Sequence, residues 1–401
     1  VVRSSSVAAQ SVSVGATLRL SIDTYMQDVV QRLIRRQVRR SGAASGTVIV
    51  SNPITGRIIA MANYPTFNPN DYQAKRPWVW NNGAIFNTYE PGSTFKVETM
   101  AAGLDAHVIT PNTTIYDPGF ANYPCDPFPI HNWNYPVSNG EETMTQVLQH
   151  SANVGASHVA NWLGDQRFYS YVRKFGVGSL TGIDLAGEVS GWVPLPWIAN
   201  SGWSCPNLYD NSFGQALTVT PLQLMDATDA VANGGWLMRP EVVREIQYRG
   251  VTVYRRPHRI HRVVSRRSAH TLTNMLVQSS MGPPGSYGEA ACALVPGYEI
   301  AAKTGTANIV DPSTRRYRTG PGSTIASTIG YAPAHRPHFS VLAIIRKPRT
   351  PWPVDQWGSE VAAPVVHDIF QALFLRYHIP PIARNSARVQ GSQAAFGGCQ
   401  F

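Results

Sequence analysis

Ser93 and Lys96 stand three residues apart in the run Glu90-Pro-Gly-Ser-Thr-Phe-Lys96. Pro91 and Gly92 interrupt whatever precedes them, so the run predicts a helix opening at Ser93. Residues three apart share a helical face, which sets the hydroxyl beside the amine. The positive end of the helix dipole favours a serine that becomes an alkoxide, and a neutral lysine can take its proton. Taken alone, the pair reads more simply as a helix cap followed by a solvated cation. The chain carries its own control: Pro321-Gly-Ser-Thr-Ile-Ala326 repeats the tetrapeptide but puts Ala326 where the base would be. Ser323 therefore reads as part of a turn entering a strand.

Two further groups could meet this pair. Ser151-Ala152-Asn153 follows a helical pattern and offers a hydroxyl and an amide two residues apart. Ordinary turns and caps use the same residues. Lys303-Thr304-Gly305-Thr306 lies in a run with strand character. A glycine inside a strand often marks the close approach of another backbone or a ligand. A cation flanked by hydroxyls suits a carboxylate. A phosphate-binding loop fails here, because such a loop needs glycine directly before the lysine and Ala302 stands there.

Around these groups the sequence sets out a scaffold. The chain has 401 residues, 43% hydrophobic and 14% charged, which excludes general disorder. Its formal charge of +10 favours an anionic partner without choosing one. A helix is predicted from Ser21 or Asp23 to about Arg40, with Met26, Val29, Val30 and Leu33 as its apolar stripe. Strands around Gly46–Asn52 and Arg57–Ala62, joined by Asn-Pro-Ile-Thr-Gly, predict a hairpin. The Pro-, Asn- and aromatic-rich stretch 64–90 reads as irregular. Helices are predicted near 93–105, 143–163, 221–233, 267–279 and 361–376. Strands fall within 240–265 and at 298–309, 323–332 and 338–346. Strands early and late, with helices between, make an α+β fold and not βαβ alternation. Four cysteines without a CxxC spacing, and no suitable His pair, predict no metal site, and unpaired buried cysteines are the simpler reading. No apolar run is long enough to span a bilayer.

Ser-x-x-Lys at 93, Ser-x-Asn at 151 and Lys-Thr-Gly at 303, in that order, form the motif set of penicillin-binding proteins and class A β-lactamases. The chain resembles the transpeptidase domain of class B penicillin-binding proteins, over roughly 15–376. Leu20-Ser-Ile-Asp, Thr55-Gly-Arg-Ile-Ile-Ala-Met-Ala, Tyr64-Pro-Thr-Phe-Asn-Pro-Asn, Phe213-Gly-Gln, Thr220-Pro-Leu-Gln, Ala232-Asn-Gly-Gly, Gly330-Tyr-Ala-Pro and Val361-Ala-Ala-Pro extend the likeness. Glu90 before Pro-Gly-Ser leans toward the division-type branch. Ala302 departs from the family's usual glycine. The resemblance implies a penicillin-binding/serine β-lactamase-like fold: an antiparallel sheet flanked by helices, plus a mostly helical subdomain supplying Ser151. Its domain plan is a linker over 1–14 from a missing N-terminal region, a transpeptidase domain over 15–380 and a flexible tail over 381–401.

The resemblance also implies roles. Ser93 would be the nucleophile, Lys96 its base, Ser151 a proton relay, and Asn153 a holder of the substrate amide and Lys96. Lys303, Thr304, Gly305 and Thr306 would bind the terminal carboxylate, with backbone N–H groups of Ser93 and Thr306 as the oxyanion hole. An ordinary lysine, with a pKa of about 10.4, is charged at neutral pH. Lys96 therefore needs burial and a second cation, for which Lys303 is the obvious candidate. No cofactor is implied. The implied substrates are donor and acceptor peptidoglycan stem peptides ending in D-Ala-D-Ala, and β-lactam antibiotics would acylate Ser93 to a long-lived adduct. A membrane glycan polymerase and division-complex proteins would engage the missing N-terminal region, which would hold a single anchor on the extracytoplasmic side. An exported enzyme could pair Cys125 with Cys205. A D,D-carboxypeptidase, a β-lactamase or a β-lactam sensor shares the motifs, although this chain is longer than the usual lactamase. A non-enzymatic alternative is a basic protein binding membrane or wall polymer through Arg32, Arg35, Arg36, Arg39 and Arg40, or through the arginines at 255, 256, 259, 262, 266 and 267. Nucleic acid is not expected, because no recognition module is found.

Overall fold

The computed structural model describes residues 15–74, 77–282, 288–311, 313–314, 316–350, 356–382 and 399. The predicted linker over 1–14 and most of the predicted tail lie outside them. The helix Thr24–Arg40 (α1) starts where the sequence places it, with Asp23 as cap: its Oδ1 accepts from the N–H groups of Tyr25 and Met26 at 3.0 and 3.1 Å. Met26 and Val30 are fully buried, Val29 and Leu33 sit at the margin, and Ile34 and Val38 extend the stripe.

The hairpin forms from Ser45–Asn52 (β1) and Arg57–Tyr64 (β2). These strands join Ala301–Asn308 (β3), Thr324–Ala332 (β4) and Phe339–Arg346 (β5) in one antiparallel sheet, ordered β3-β4-β5-β1-β2. Alternation divides the sheet between two cores. Val48, Val50, Val341, Ala343 and Ile345 pack toward α1 and the C-terminal helix Ala363–Arg376. Ile49, Leu342 and Ile344 face the larger helical core. That second layer includes Lys96–Asp105 (α2), Pro221–Ala232 and Arg266–Met281. Strand β3 is an edge of the sheet, so its outer side is free to line a cleft.

One expectation needs correction. The single helix predicted over 143–163 is two, Met144–Gln149 (α3) and Asn153–Lys174 (α4), separated at Ser151. Ser151 has φ +54°, left-handed backbone that no continuous helix contains. The strands expected within 240–265 form, in two small sheets of their own: Val243–Tyr248 lies between Thr17–Leu20 and Val251–Tyr254, and Arg259–Arg262 pairs with Trp236–Met238.

Cysteine pairing also departs from the simpler reading. Cys125 is bonded to Cys205 and Cys292 to Cys399, so none of the four is free. None of them is buried, which removes the premise of a core role. The second bond fastens one residue of the predicted tail to the segment before β3. Among the described residues no helix is long and apolar enough to cross a membrane.

Candidate active site

Ser93 lies in one turn of 3-10 helix, Gly92–Phe95, that runs directly into α2. Gly92 makes the entry possible, with φ +60° and an α-carbon so close to β3 that an added Cβ would lie 3.0 Å from the Thr306 carbonyl oxygen. From the other side, a Cβ on Gly305 would stand 2.9 Å from Thr94 Cγ2 and 3.0 Å from the Pro91 oxygen. The mid-strand glycine is therefore what lets the serine turn lie flat on the sheet edge. Ala302, the departure from the family pattern, is paired in register with Gly330, and its methyl fills the space that Gly330 leaves open.

All three motifs converge. Lys96 Nζ lies 2.9 Å from Ser93 Oγ, 2.5 Å from the Ser151 carbonyl oxygen, 2.8 Å from Asn153 Oδ1 and 3.4 Å from Ser151 Oγ. Lys303 Nζ lies 2.9 Å from the same Ser151 hydroxyl. One serine hydroxyl thus stands between two lysines that are 0% and 2% exposed. Asn153 is fixed by its own amide, which donates to the His131 carbonyl at 2.9 Å. A loop holds that carbonyl in place: Asn132 accepts from Val154 N–H and donates to the buried carboxylate of Asp117.

Two buried ammonium groups in one pocket cannot both keep ordinary acidity. Burial pushes Lys96 well below the usual lysine range, and the charge of Lys303 pushes it further, against the opposing pull of Glu289, Glu142 and Asp117. Lys303 is lowered by burial but held up by Glu289. Lys96 is accordingly the group that gives up its proton first. A neutral amine 2.9 Å from a hydroxyl can act as its base.

The groups open onto a cleft of about 800 Å³ lined by Ser93, Ser151, Asn153, Thr304 and Thr306, among others. Thr306 Oγ1 accepts from Gly358 N–H at 3.0 Å and keeps its own proton available. Several cleft residues escaped the sequence reading. Trp133 and Trp357 meet edge to face at 5.0 Å over the cleft, with Trp133 Nε1 donating to the His150 carbonyl next to Ser151. Glu90, read only as a branch marker, accepts from Ala216 N–H and from the Tyr317 hydroxyl beside the cleft, and burial raises its carboxyl to about 7. Glu289 reaches Lys303 and Thr304 directly. Only the Pro-, Asn- and aromatic-rich setting of Trp133 could have drawn attention to that residue.

Residues 46–371 match the penicillin binding protein transpeptidase domain. The chain belongs to that family. Among curated relatives, PbpB of Mycolicibacterium smegmatis is 33% identical, over 91% of this chain and 55% of its own length. Stage V sporulation protein D of Bacillus subtilis is 30% identical over 89% and 53%, and the peptidoglycan D,D-transpeptidase FtsI of Escherichia coli is 31% identical over 91% and 57%. The chain thus spans about half the length of the curated relatives it matches. Among solved structures, penicillin binding protein 3 of Mycobacterium tuberculosis in complex with ampicillin superposes with a TM-score of 0.84 at 28% identity, over 94% of this chain and 81% of that one. The transpeptidase fold implied by the motif order is therefore the fold observed.

The basic runs are partly paired within the fold. In the first, Arg32 is paired with Asp28, Arg36 with Asp368, and Arg39 donates to Tyr64. In the second, Arg255 pairs with Glu241, while Arg259 and Arg262 stack on Trp236. The two buried lysines of the cleft have no counterpart in either basic run.

Proposed function

We propose that the chain is the catalytic domain of a peptidoglycan D,D-transpeptidase. Lys96 takes the proton of Ser93 as Oγ attacks the penultimate D-Ala carbonyl of a donor stem peptide. The tetrahedral oxyanion points at the backbone N–H groups of Ser93 and Thr306, an arrangement worth about 3–4 kcal/mol per donor in other acyl transfers. As the peptide bond breaks, the proton passes from Lys96 through the Ser151 hydroxyl to the departing nitrogen, and free D-Ala leaves. The Ser93 ester remains. An amine from a neighbouring stem attacks that ester, gives up its proton by the same route, and closes the cross-link while Ser93 regains its hydrogen. Asn153 holds Lys96 and the substrate amide, and Lys303, Thr304, Gly305 and Thr306 seat the terminal carboxylate by charge-assisted bonds.

The observation that carries this reading is the buried amine of Lys96 at 2.9 Å from Ser93 Oγ, with Lys303 across the Ser151 hydroxyl. A relative named a D,D-transpeptidase and a structural neighbour solved with ampicillin support it. The same serine would take up β-lactams. The domain would work on the extracytoplasmic face of the membrane, and contacts with an anchor, a glycan polymerase and division proteins would belong to parts of the protein outside 15–380. A donor pentapeptide and an amine acceptor test the reaction: the expected products are D-Ala and the cross-linked dimer. Release of D-Ala with hydrolysis alone would make the protein a carboxypeptidase, and fast turnover of a chromogenic cephalosporin would make it a lactamase.

A further inference from the structure

The seat assigned to the substrate's carboxylate already holds one. Glu289 Oε2 accepts from Lys303 Nζ at 3.3 Å and from the Thr304 hydroxyl at 3.1 Å, and Glu289 lines the cleft. The fold sets it there. A Cβ on Gly288 would lie 1.9 Å from the Ser279 carbonyl oxygen and 2.7 Å from that of Ser280, so the chain before Glu289 is wedged on the end of the helix Arg266–Met281. Immediately after it, Ala290, Ala291 and Ala293 are buried against the C-terminal helix. Ser280 Oγ bonds both the N–H and the carbonyl of Ala302, tying the same helix end to β3.

We propose that Glu289 is a specificity-determining residue, an internal occupant of the carboxylate seat that an incoming terminal carboxylate must displace. The inference rests on the assignment of Lys303 and Thr304 to that carboxylate. Glu289 partners an ammonium that is only 2% exposed, and such a charge is costly to leave alone. The Glu289 side chain is itself 28% exposed, so it can leave toward solvent by rotating about its own bonds. A ligand ending in a carboxylate must drive Glu289 out and then meets it as a neighbouring like charge. A ligand ending in an amide can instead donate a hydrogen bond to it. Apparent affinity falls by the fraction of molecules in which the seat is open, and that penalty falls on the anion.

The test compares two donor peptides that differ only in a terminal D-Ala carboxylate or carboxamide, reading the second-order rate of Ser93 acylation for each. Glu289 also acts on the acidity of Lys96, but that effect is common to both peptides and cancels in their ratio. Glu289→Gln is expected to raise the carboxylate-to-carboxamide ratio about tenfold, the size of one charge-assisted hydrogen bond gained. Glu289→Ala should move it in the same direction, so either variant decides if the other fails to fold. An unchanged or lowered ratio overturns the role of Glu289. Failure of the wild-type protein to take up benzylpenicillin at Ser93 would overturn the underlying active-site reading instead.

Discussion

The tetrapeptide Pro-Gly-Ser-Thr occurs at 91–94 and again at 321–324, and the two copies end in different structures. Both use a left-handed glycine, Gly92 at φ +60° and Gly322 at φ +80°. Beyond that they part. Ser93 turns into α2, half-buried on the cleft, with Lys96 at its side. Ser323 is 6% exposed, and its carbonyl accepts from Ile309 N–H as the chain enters β4. The following residues decide: Phe95-Lys96-Val97-Glu98 continue a helix, whereas Ile325-Ala326-Ser327-Thr328-Ile329 alternate as a strand. A turn motif fixes a local bend, and chemistry needs the residue one helical turn on plus whatever packs across from it.

The comparison can be broken most sharply at the two serines. Ser93→Ala should abolish acylation by benzylpenicillin, while Ser323→Ala should leave its rate within about twofold, both followed by intact mass. Next come the residues three positions on. Lys96→Ala should slow acylation by about 10² to 10⁴, the usual worth of a positioned base. Ala326→Lys should not create a second reactive serine, because position 326 is fully buried in β4 and the ammonium would lower the melting temperature instead.

A smaller effect concerns pH. If Lys96 is the base, its free amine is the active form, and acylation should rise with pH through a midpoint well below that of an ordinary lysine. Lys303→Met removes the neighbouring cation that favours the neutral amine, and the midpoint should move to higher pH. A midpoint that stays or falls would show that burial alone sets the acidity. The mildest test is at the glycines. Gly92→Ala and Gly322→Ala should each cost about 1 kcal/mol in stability for a left-handed residue with a side chain. Only Gly92→Ala should also slow acylation, because its methyl meets the Thr306 carbonyl, whereas at Gly322 it meets the flexible side chain of Arg349.

Much of the site was legible because its signals are local. The three-residue spacing of Ser93 and Lys96 needs one helical turn, and Gly305 shows itself as a glycine where a strand would otherwise have a side chain. The sheet was legible through its β-branched alternation in β1, β4 and β5. What stayed hidden arises from distant parts of the chain meeting. Glu289 is an unremarkable glutamate until Gly288 is wedged on a helix end, and Cys292 and Cys399 have no sequence relation that marks them as partners. The end of the helical pattern Met144–Gln149 before Ser151 was legible, but the left-handed bend there was not, because Ala152-Asn153 carries no proline or glycine. Ser151 holds a left-handed conformation that its own type does not favour, with its hydroxyl between the two lysines.

The hydroxyl of Ser93, and not that of its twin at Ser323, should be the activated one. Peptide-level mass mapping after brief exposure to benzylpenicillin tests it directly. The expected result is one penicilloyl group per chain, carried on the peptide containing Ser93 and persisting through the work-up. An unmodified Ser93 peptide, or a label carried on another serine, would contradict it.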